Sequence, residues 1–208
     1  MYQNNPTKVL TGECRLSYCN LNAPRAAQQG GEAKYSVTLL IPKIPKTDTA
    51  TKADIDAAIN AAANDAMTKL WNGVRPPQLK VPIYDGDGVR PNSGVPFGDE
   101  CKGHWVMTAG TKNKPQVVGI DNINCELAPS DVYSGMYGRV TLRFFGFALT
   151  SNRGVGCGLG NVLKTRDGEP LSGVASAASD FAGIGNSVMP AVDPVSGRAI
   201  NPITGQPM

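Results

Sequence analysis

The chain has 208 residues, 41% of them hydrophobic and 18% charged, with a formal net charge of +3, which is enough for one sizeable domain with a buried core. No apolar run approaches the roughly 20 residues of a membrane-spanning helix, and the opening MYQNNPTKVL lacks the charged start and apolar block of a secretory leader. Cys14, Cys19, Cys101, Cys125 and Cys157 form no CxxC pair and have a single histidine, His104, to join them, so free thiols in a cytoplasm are expected instead of a disulfide framework or a zinc site.

Charge is spread unevenly. Residues 1–50 carry six Lys/Arg against three Asp/Glu and residues 101–170 carry eight against five, whereas residues 51–100 carry five against seven. The two basic blocks are also the most strand-like, which points to a polyanionic partner. With 24 Gly and 16 Pro, short strands joined by loops are expected, not a helical bundle.

Along residues 8–18, Cys14, Leu16 and Tyr18 alternate with Arg15 and Ser17, the period of a half-buried strand, and Asn22-Ala-Pro24 is expected to end it. Tyr35, Val37, Leu39 and Ile41 alternate with Lys34, Ser36 and Thr38 in a second strand that Pro42 and Pro45 stop. The one helix is expected at about 52–71. Ile55, Ile59, Ala62, Ala66 and Leu70 recur at spacings of four and three to give it one apolar stripe, with Thr51 as N-cap. Asn72-Gly73 ends it and Pro76-Pro77 bars continuation.

Residues 74–103 read as a long loop. Asp85-Gly-Asp87-Gly resembles half of a calcium loop, but Val89 stands where the next ligand is needed, so a turn is expected and no metal. A nuclease built on Asp85, Asp87, Asp99 or Glu100 has only carboxylate placement in its favour. His104 has no nucleophile-elbow sequence to serve. Strands are expected at 102–108 and 116–120, joined by the basic turn that carries Lys112 and Lys114.

Residues 133–150, YSGMYGRVTLRFFGFALT, form the most informative stretch. As one strand it places Val140, Leu142, Phe144, Gly146 and Ala148 on one side and Arg139, Thr141, Arg143, Phe145 and Phe147 on the other. Guanidinium groups interleaved with phenyl rings suit a chain of phosphates and bases. The competing explanation is a strand covered on both sides, with the arginines reaching past the rings to water. Further on, Gly154, Gly156, Gly158 and Gly160 share one strand face and leave it bare, which allows a neighbouring backbone or a ligand to approach closely. No phosphate-loop spacing fits these glycines. From residue 171 the composition turns to Gly, Ala, Ser and Pro, so residues 1–170 are expected to fold and 171–208 to form an extended tail.

Asn5-Pro-Thr-Lys8, Tyr84-Asp-Gly-Asp87, Lys102-Gly-His-Trp105, Tyr133-Ser-Gly-Met-Tyr-Gly-Arg139 and Gly156-Cys-Gly-Leu-Gly-Asn-Val162 resemble, in this order, a family of bacteriophage single-stranded DNA-binding proteins long described as a phage domain of unknown function. The resemblance spans about residues 5–183. It implies a mostly β, five-stranded OB-fold barrel with an inserted amphipathic helix and long loops, related to the replication single-stranded DNA-binding proteins of short-tailed phages. It also implies no catalysis, no cofactor, and residence in the cytoplasm of a bacterial host. Single-stranded DNA is the implied partner, with replication or recombination proteins beside it. Many members end in an acidic tail; residues 171–208 hold two acids and one base, so recruitment through a charged tail is not expected here.

On such a fold, strand alternation and charge select Tyr133, Tyr137, Phe145, Phe147 and Trp105 for base stacking. They select Arg139, Arg143, Lys102, Lys112, Lys114, Lys164, Arg166, Arg15 and Lys34 for phosphates. The alternative function is a structural or assembly protein, whose bare glycine strand and Gly/Pro-rich tail serve self-association.

Overall fold

The computed structural model describes residues 4–26, 31–44, 50–91, 93–149 and 152–171. Strands β1 (Lys8–Leu10), β2 (Cys14–Arg25) and β3 (Lys34–Pro42) precede helix α1 (Ala50–Lys69). There follow β4 (Ile83–Asp85), β5 (His104–Thr111), β6 (Val117–Gly119), β7 (Asn122–Glu126), β8 (Tyr137–Leu149) and β9 (Asn152–Arg166). Five of the strands close on themselves: β2 pairs with β3, β3 with β5, β5 with β9, β9 with β8, and β8 returns to β2. Counted along the ring, that order is first, second, third, fifth, fourth, with the third and fifth parallel, the connectivity of an OB-fold. Strand β1 extends the first position, pairing with β8 beyond a break at residues 11–13, and β6 and β7 hang from β9 as a hairpin.

The ring fills because its strands alternate. Val37, Leu39 and Ile41 of β3, Met107 and Ala109 of β5, Val140, Leu142 and Phe144 of β8, and Val155, Leu159 and Val162 of β9 are all buried in one core. The outer side of β3 and β5 holds a smaller cluster, Leu40, Cys101 and Val106. All five cysteines are free, and burial pushes the thiols of Cys14, Cys19 and Cys157 up to about 12, far from the thiolate a nucleophile needs.

Helix α1 covers one opening of the ring with Ile55, Ala58, Ile59, Ala62 and Ala66. Its alanines let it approach β8 so closely that a Cβ on Gly146 would lie 2.1 Å from that of Ala66. Two expectations change here. Thr51 lies inside the helix, and its hydroxyl accepts the backbone N–H of Gly12 at 2.8 Å, tying the helix to the break between β1 and β2. Leu70 falls past the last helical turn and is half exposed, while Trp71 is fully buried in its place and donates its indole N–H to the Phe147 carbonyl at 3.1 Å. The left-handed φ of 53° at Asn72 and 78° at Gly73 then turns the chain away, as the sequence predicts.

Two further expectations fail for local reasons. Strand β2 does not stop at Asn22-Ala-Pro24 but runs on to Arg25, because Pro24 needs no ladder donor at the sheet margin. Tyr18 was expected on the inner face with Cys14 and Leu16, yet its φ of 47° makes a bulge that shifts the β2–β3 register and turns the ring outward. The loop at 74–103 carries more order than expected, with β4 paired to β5 and a 3-10 turn at Asp99–Cys101. The expected tail lies outside the described residues apart from Leu171.

Replacing Gly146 with valine should force α1 and β8 apart and cost about 1–3 kcal/mol, the usual range for overpacking a tight contact. A urea titration followed by Trp fluorescence reads this as a lowered midpoint; an unchanged midpoint would mean that the helix does not rest on β8.

Candidate nucleic-acid interface

The outer stripe of β8 is built by alternation alone. With Val140, Leu142 and Phe144 buried, Arg139, Thr141, Arg143 and Phe145 must face outward, and Arg139, Arg143 and Phe145 are exposed. Phe145 keeps 50% of its surface accessible. Across the ladder it pairs with Gly156, and Phe147 pairs with Gly154. The distal edge of the Phe145 ring lies 2.9 Å from where a Cβ on Gly156 would be, so the glycine leaves the space the ring occupies. The bare strand face is therefore covered from the adjacent strand, by aromatic rings and by Thr141 over Gly160. What results is a phenyl ring supported from beneath and open above.

A cleft of about 650 Å³ lies beside this ring, lined by Lys8, Arg143, Phe145, Gly158 and Asn161 among others. Among the described residues neither Arg139 nor Arg143 forms an ion pair. Phe147, further along the strand, is half-buried and reaches toward Gly154 and the Lys80 segment.

Five of the expected contact residues gather elsewhere, at the start of β8 and the end of β9. The guanidinium of Arg166 sits 3.4 Å from the centre of the Tyr137 ring and that of Arg15 sits 5.9 Å from it. Arg166 also pairs with Glu13 at 3.0 Å; burial would raise the Glu13 carboxyl, but hydrogen bonds from Thr165 and Arg166 hold it below its ordinary range. Lys164 stands 5.1 Å over the Tyr133 ring and pairs with Asp167 at 2.7 Å. The Tyr133 hydroxyl lies 2.7 Å from Asp167 Oδ1 and accepts the Gly168 N–H, and burial is the main reason it ionises above its ordinary range. The structure thus brings these side chains together but balances their charge locally.

The remaining candidates are dispersed. Trp105 is half-buried, with the ammonium groups of Lys43 and Lys52 at 5.0 and 4.7 Å from its ring. Lys43 fills the space between Asp85 and Asp87, so the two carboxylates that resemble half of a calcium loop are bridged by an ammonium, and hydrogen bonds from it hold both below the usual carboxylate range. No cluster of three or more His, Cys, Asp or Glu suited to a metal occurs among the described residues. Lys102, Lys112 and Lys114 pair with Asp99, Glu32 and Glu126 respectively. His104 Nδ1 lies 2.7 Å from the Lys102 carbonyl.

A second cleft, of about 560 Å³, opens on the outer face of β2, β3 and β5 between Tyr18, Asn20, Arg25, Lys34, Ser36 and Gly110. Of these only Lys34 was expected. Tyr18 is 61% exposed, the Asn20 amide donates to Ser36 Oγ at 3.1 Å, and the Thr38 and Thr108 hydroxyls meet at 3.0 Å. The outer face of the second and third strands is where OB-folds hold oligonucleotides. The residues at the β2 end were hidden in the sequence by the bulge, because a strict period of two sends Tyr18 inward.

The family model for the Enterobacter phage Enc34 single-stranded DNA-binding protein matches residues 7–189. The chain is similar to the single-stranded DNA-binding protein of bacteriophage Enc34 solved in complex with single-stranded DNA, at 29% identity and a TM-score of 0.64, over 79% of this chain and 89% of that one. It is similar to another structure of that phage protein at 28% identity and a TM-score of 0.62, over 85% and 90%. The gp2.5 single-stranded DNA-binding protein of bacteriophage T7 shares the fold, at 13% identity and a TM-score of 0.55, over 81% and 97%. No curated protein sequence matches. The chain belongs to the family of phage single-stranded DNA-binding proteins represented by that of Enterobacter phage Enc34.

Proposed function

We propose that this protein binds single-stranded DNA without base specificity and without altering it chemically, covering strands exposed during phage DNA replication or recombination. The observation that carries this reading is Phe145, half exposed and seated in the space left by Gly156, with the outward guanidinium of Arg143 in the same cleft and that of Arg139 further back along the same strand face. A ring with one open face stacks on any base, and arginines that form no ion pair among the described residues offer their charge to phosphates. The Enc34 protein, solved with single-stranded DNA, supplies the ligand class. Among the described residues no helix is long and apolar enough to cross a membrane, in keeping with action on DNA in the host cytoplasm.

Fluorescence anisotropy with a labelled oligo-dT, repeated at several salt concentrations, should show affinity falling linearly on a log–log plot as counterions are released. Replacing Arg139 and Arg143 together with alanine should flatten that slope by about 1.4, at about 0.7 per phosphate contact on a single strand. A double variant with the wild-type slope would mean that DNA lies on another face.

Phe145→Ala should weaken binding by about 1–3 kcal/mol, the stacking contribution of one base, with little loss of stability because half of the ring is already in water. Phe145→Trp should bind at least as well as wild type. Equal loss in both variants would show that the ring packs the fold and does not stack on bases.

A further inference from the structure

A third cleft, of about 550 Å³, lies where the chain leaving α1 passes the Asn152 end of β9. It is lined by the aliphatic Val74, Pro76 and Pro77 together with Lys80, Asn152 and Arg153, and it shares no lining residue with the cleft beside Phe145. The chain that builds it is fixed at both ends. Behind α1, the Gly73 N–H donates to the Met67 carbonyl and the Val74 N–H to that of Trp71, while Arg75 donates to Asn60 Oδ1 at 3.0 Å. Further on, the Lys80 carbonyl accepts the Val155 N–H of β9 at 2.8 Å, and the Lys80 ammonium donates to Asn152 Oδ1 at 2.7 Å. Between these anchors Pro76 and Pro77 have a fixed φ, so the cleft is formed before any ligand arrives. Val74 is 64% exposed, and Leu149, which stands across the ladder from Asn152, is 67% exposed. One exposed aliphatic side chain is ordinary on any protein surface, but here several are gathered with two cations. Neither Lys80 nor Arg153 forms an ion pair among the described residues.

We infer that this cleft docks an acidic segment of another protein, one with an aliphatic side chain between its carboxylates. The carboxylates meet Lys80 and Arg153, and the aliphatic side chain rests on Val74, Pro76 and Pro77. A nucleic acid has the charge but not the fit, because bases stack on rings and no aromatic ring is found among the described residues that line the cleft. Recruitment through charge then has the polarity opposite to that of an acidic-tailed protein. With two acids and one base over residues 171–208, this chain supplies the cations and its partner the carboxylates. The inference is independent of the proposed function, since the two clefts have no residue in common and both ligands can be held at once.

The probe is a fluorescein-labelled peptide of sequence Asp-Asp-Leu-Asp-Leu-Asp, read by anisotropy on the whole chain, with a control in which serine replaces leucine. The peptide should bind saturably with a Kd below about 1 mM, more weakly as salt screens the charges, and better than the serine control. Lys80→Ala with Arg153→Ala should weaken it about 2- to 30-fold, the loss of two exposed ion pairs. Val74→Asp, at a side chain mostly in water, sets a carboxylate against the peptide and should weaken it about 2-fold or more. Melting curves check that both variants fold; neither should change the affinity for oligo-dT, and saturating oligo-dT should not displace the peptide. No binding by the wild type, a serine control that binds as well, unchanged binding by either folded variant, or displacement by oligo-dT overturns the inference and leaves the proposed function standing. If the alanine pair weakens oligo-dT, the two cations serve DNA and the inference falls. A wild type that holds the peptide as described but not oligo-dT sinks the proposed function alone.

Discussion

The structure depends on the antiparallel pairing of β8 with β9, which runs from Tyr137 opposite Arg166 to Leu149 opposite Asn152. It is the joint that closes the ring, since β9 also reaches β5 and β8 also reaches β2. The same pairing has a second result on the outside. Because side chains alternate strictly across a strand, the buried series Val140, Leu142 and Phe144 obliges Arg143 and Phe145 to face water. Because β9 presents glycine opposite Phe145, the ring is held against the sheet instead of standing away from it. Closure and the exposed platform are two faces of one ladder, so neither can be changed independently of the other.

Electrostatics divides the basic side chains into two classes. Lys164, whose side chain is only 12% exposed, pairs with Asp167 and also donates to the Asp131 carbonyl at 2.9 Å; together with Arg166, Glu13, Tyr133 and Tyr137 it fastens the exit of β9 to the start of β8. Releasing it to a phosphate would leave Asp167 and a carbonyl without their donor. The pairs of Lys102, Lys112 and Lys114 lie at the surface, where an ion pair contributes little and is screened by salt. A phosphate arriving at such a pair competes with one solvated carboxylate, a far weaker opponent than a packed network. Arg143 forms no ion pair among the described residues and so has none to exchange, and Arg139 shares the field of Glu13 with Arg166 without pairing to it. The order in which cations become available to a polyanion is therefore set by how many partners each must abandon.

Much of this was legible in the sequence where one rule governs. The period of two in residues 137–145 sorts core from surface correctly, and Asn72-Gly73 ends the helix as left-handed residues do. The four glycines at 154–160 announce a close approach, although the sequence does not say that aromatic rings of the next strand make it. What was not legible depends on a single backbone choice or on distant partners. Tyr18 faces outward because of one positive φ, and no pattern of hydrophobicity encodes that. Trp71 replaces Leu70 in the core because the helix ends at Lys69, one residue short of Leu70. The partners of Lys164 and Arg166 come from Asp131, Asp167 and Glu13, spread over the length of the chain, so a count of charge along the sequence could not tell a phosphate ligand from a structural cation.

The chemistry of the outer face also bears on the proposed tolerance of base sequence. Reading a base needs donors and acceptors fixed against its edge, and a buried polar group left without its partner costs more than the bond contributes when made. The cleft beside Phe145 offers a ring and cations, which have no such preference, and its lining adds glycine and leucine together with Asn5, Thr141 and Asn161. The polar groups on β2, β3 and β5 already satisfy one another: Asn20 with Ser36, Thr38 with Thr108. A mismatched base there leaves no partner stranded, because each donor keeps its internal bond and its access to water. Discrimination requires groups that are unsatisfied until the right ligand arrives, and on β2, β3 and β5 these groups are satisfied in advance.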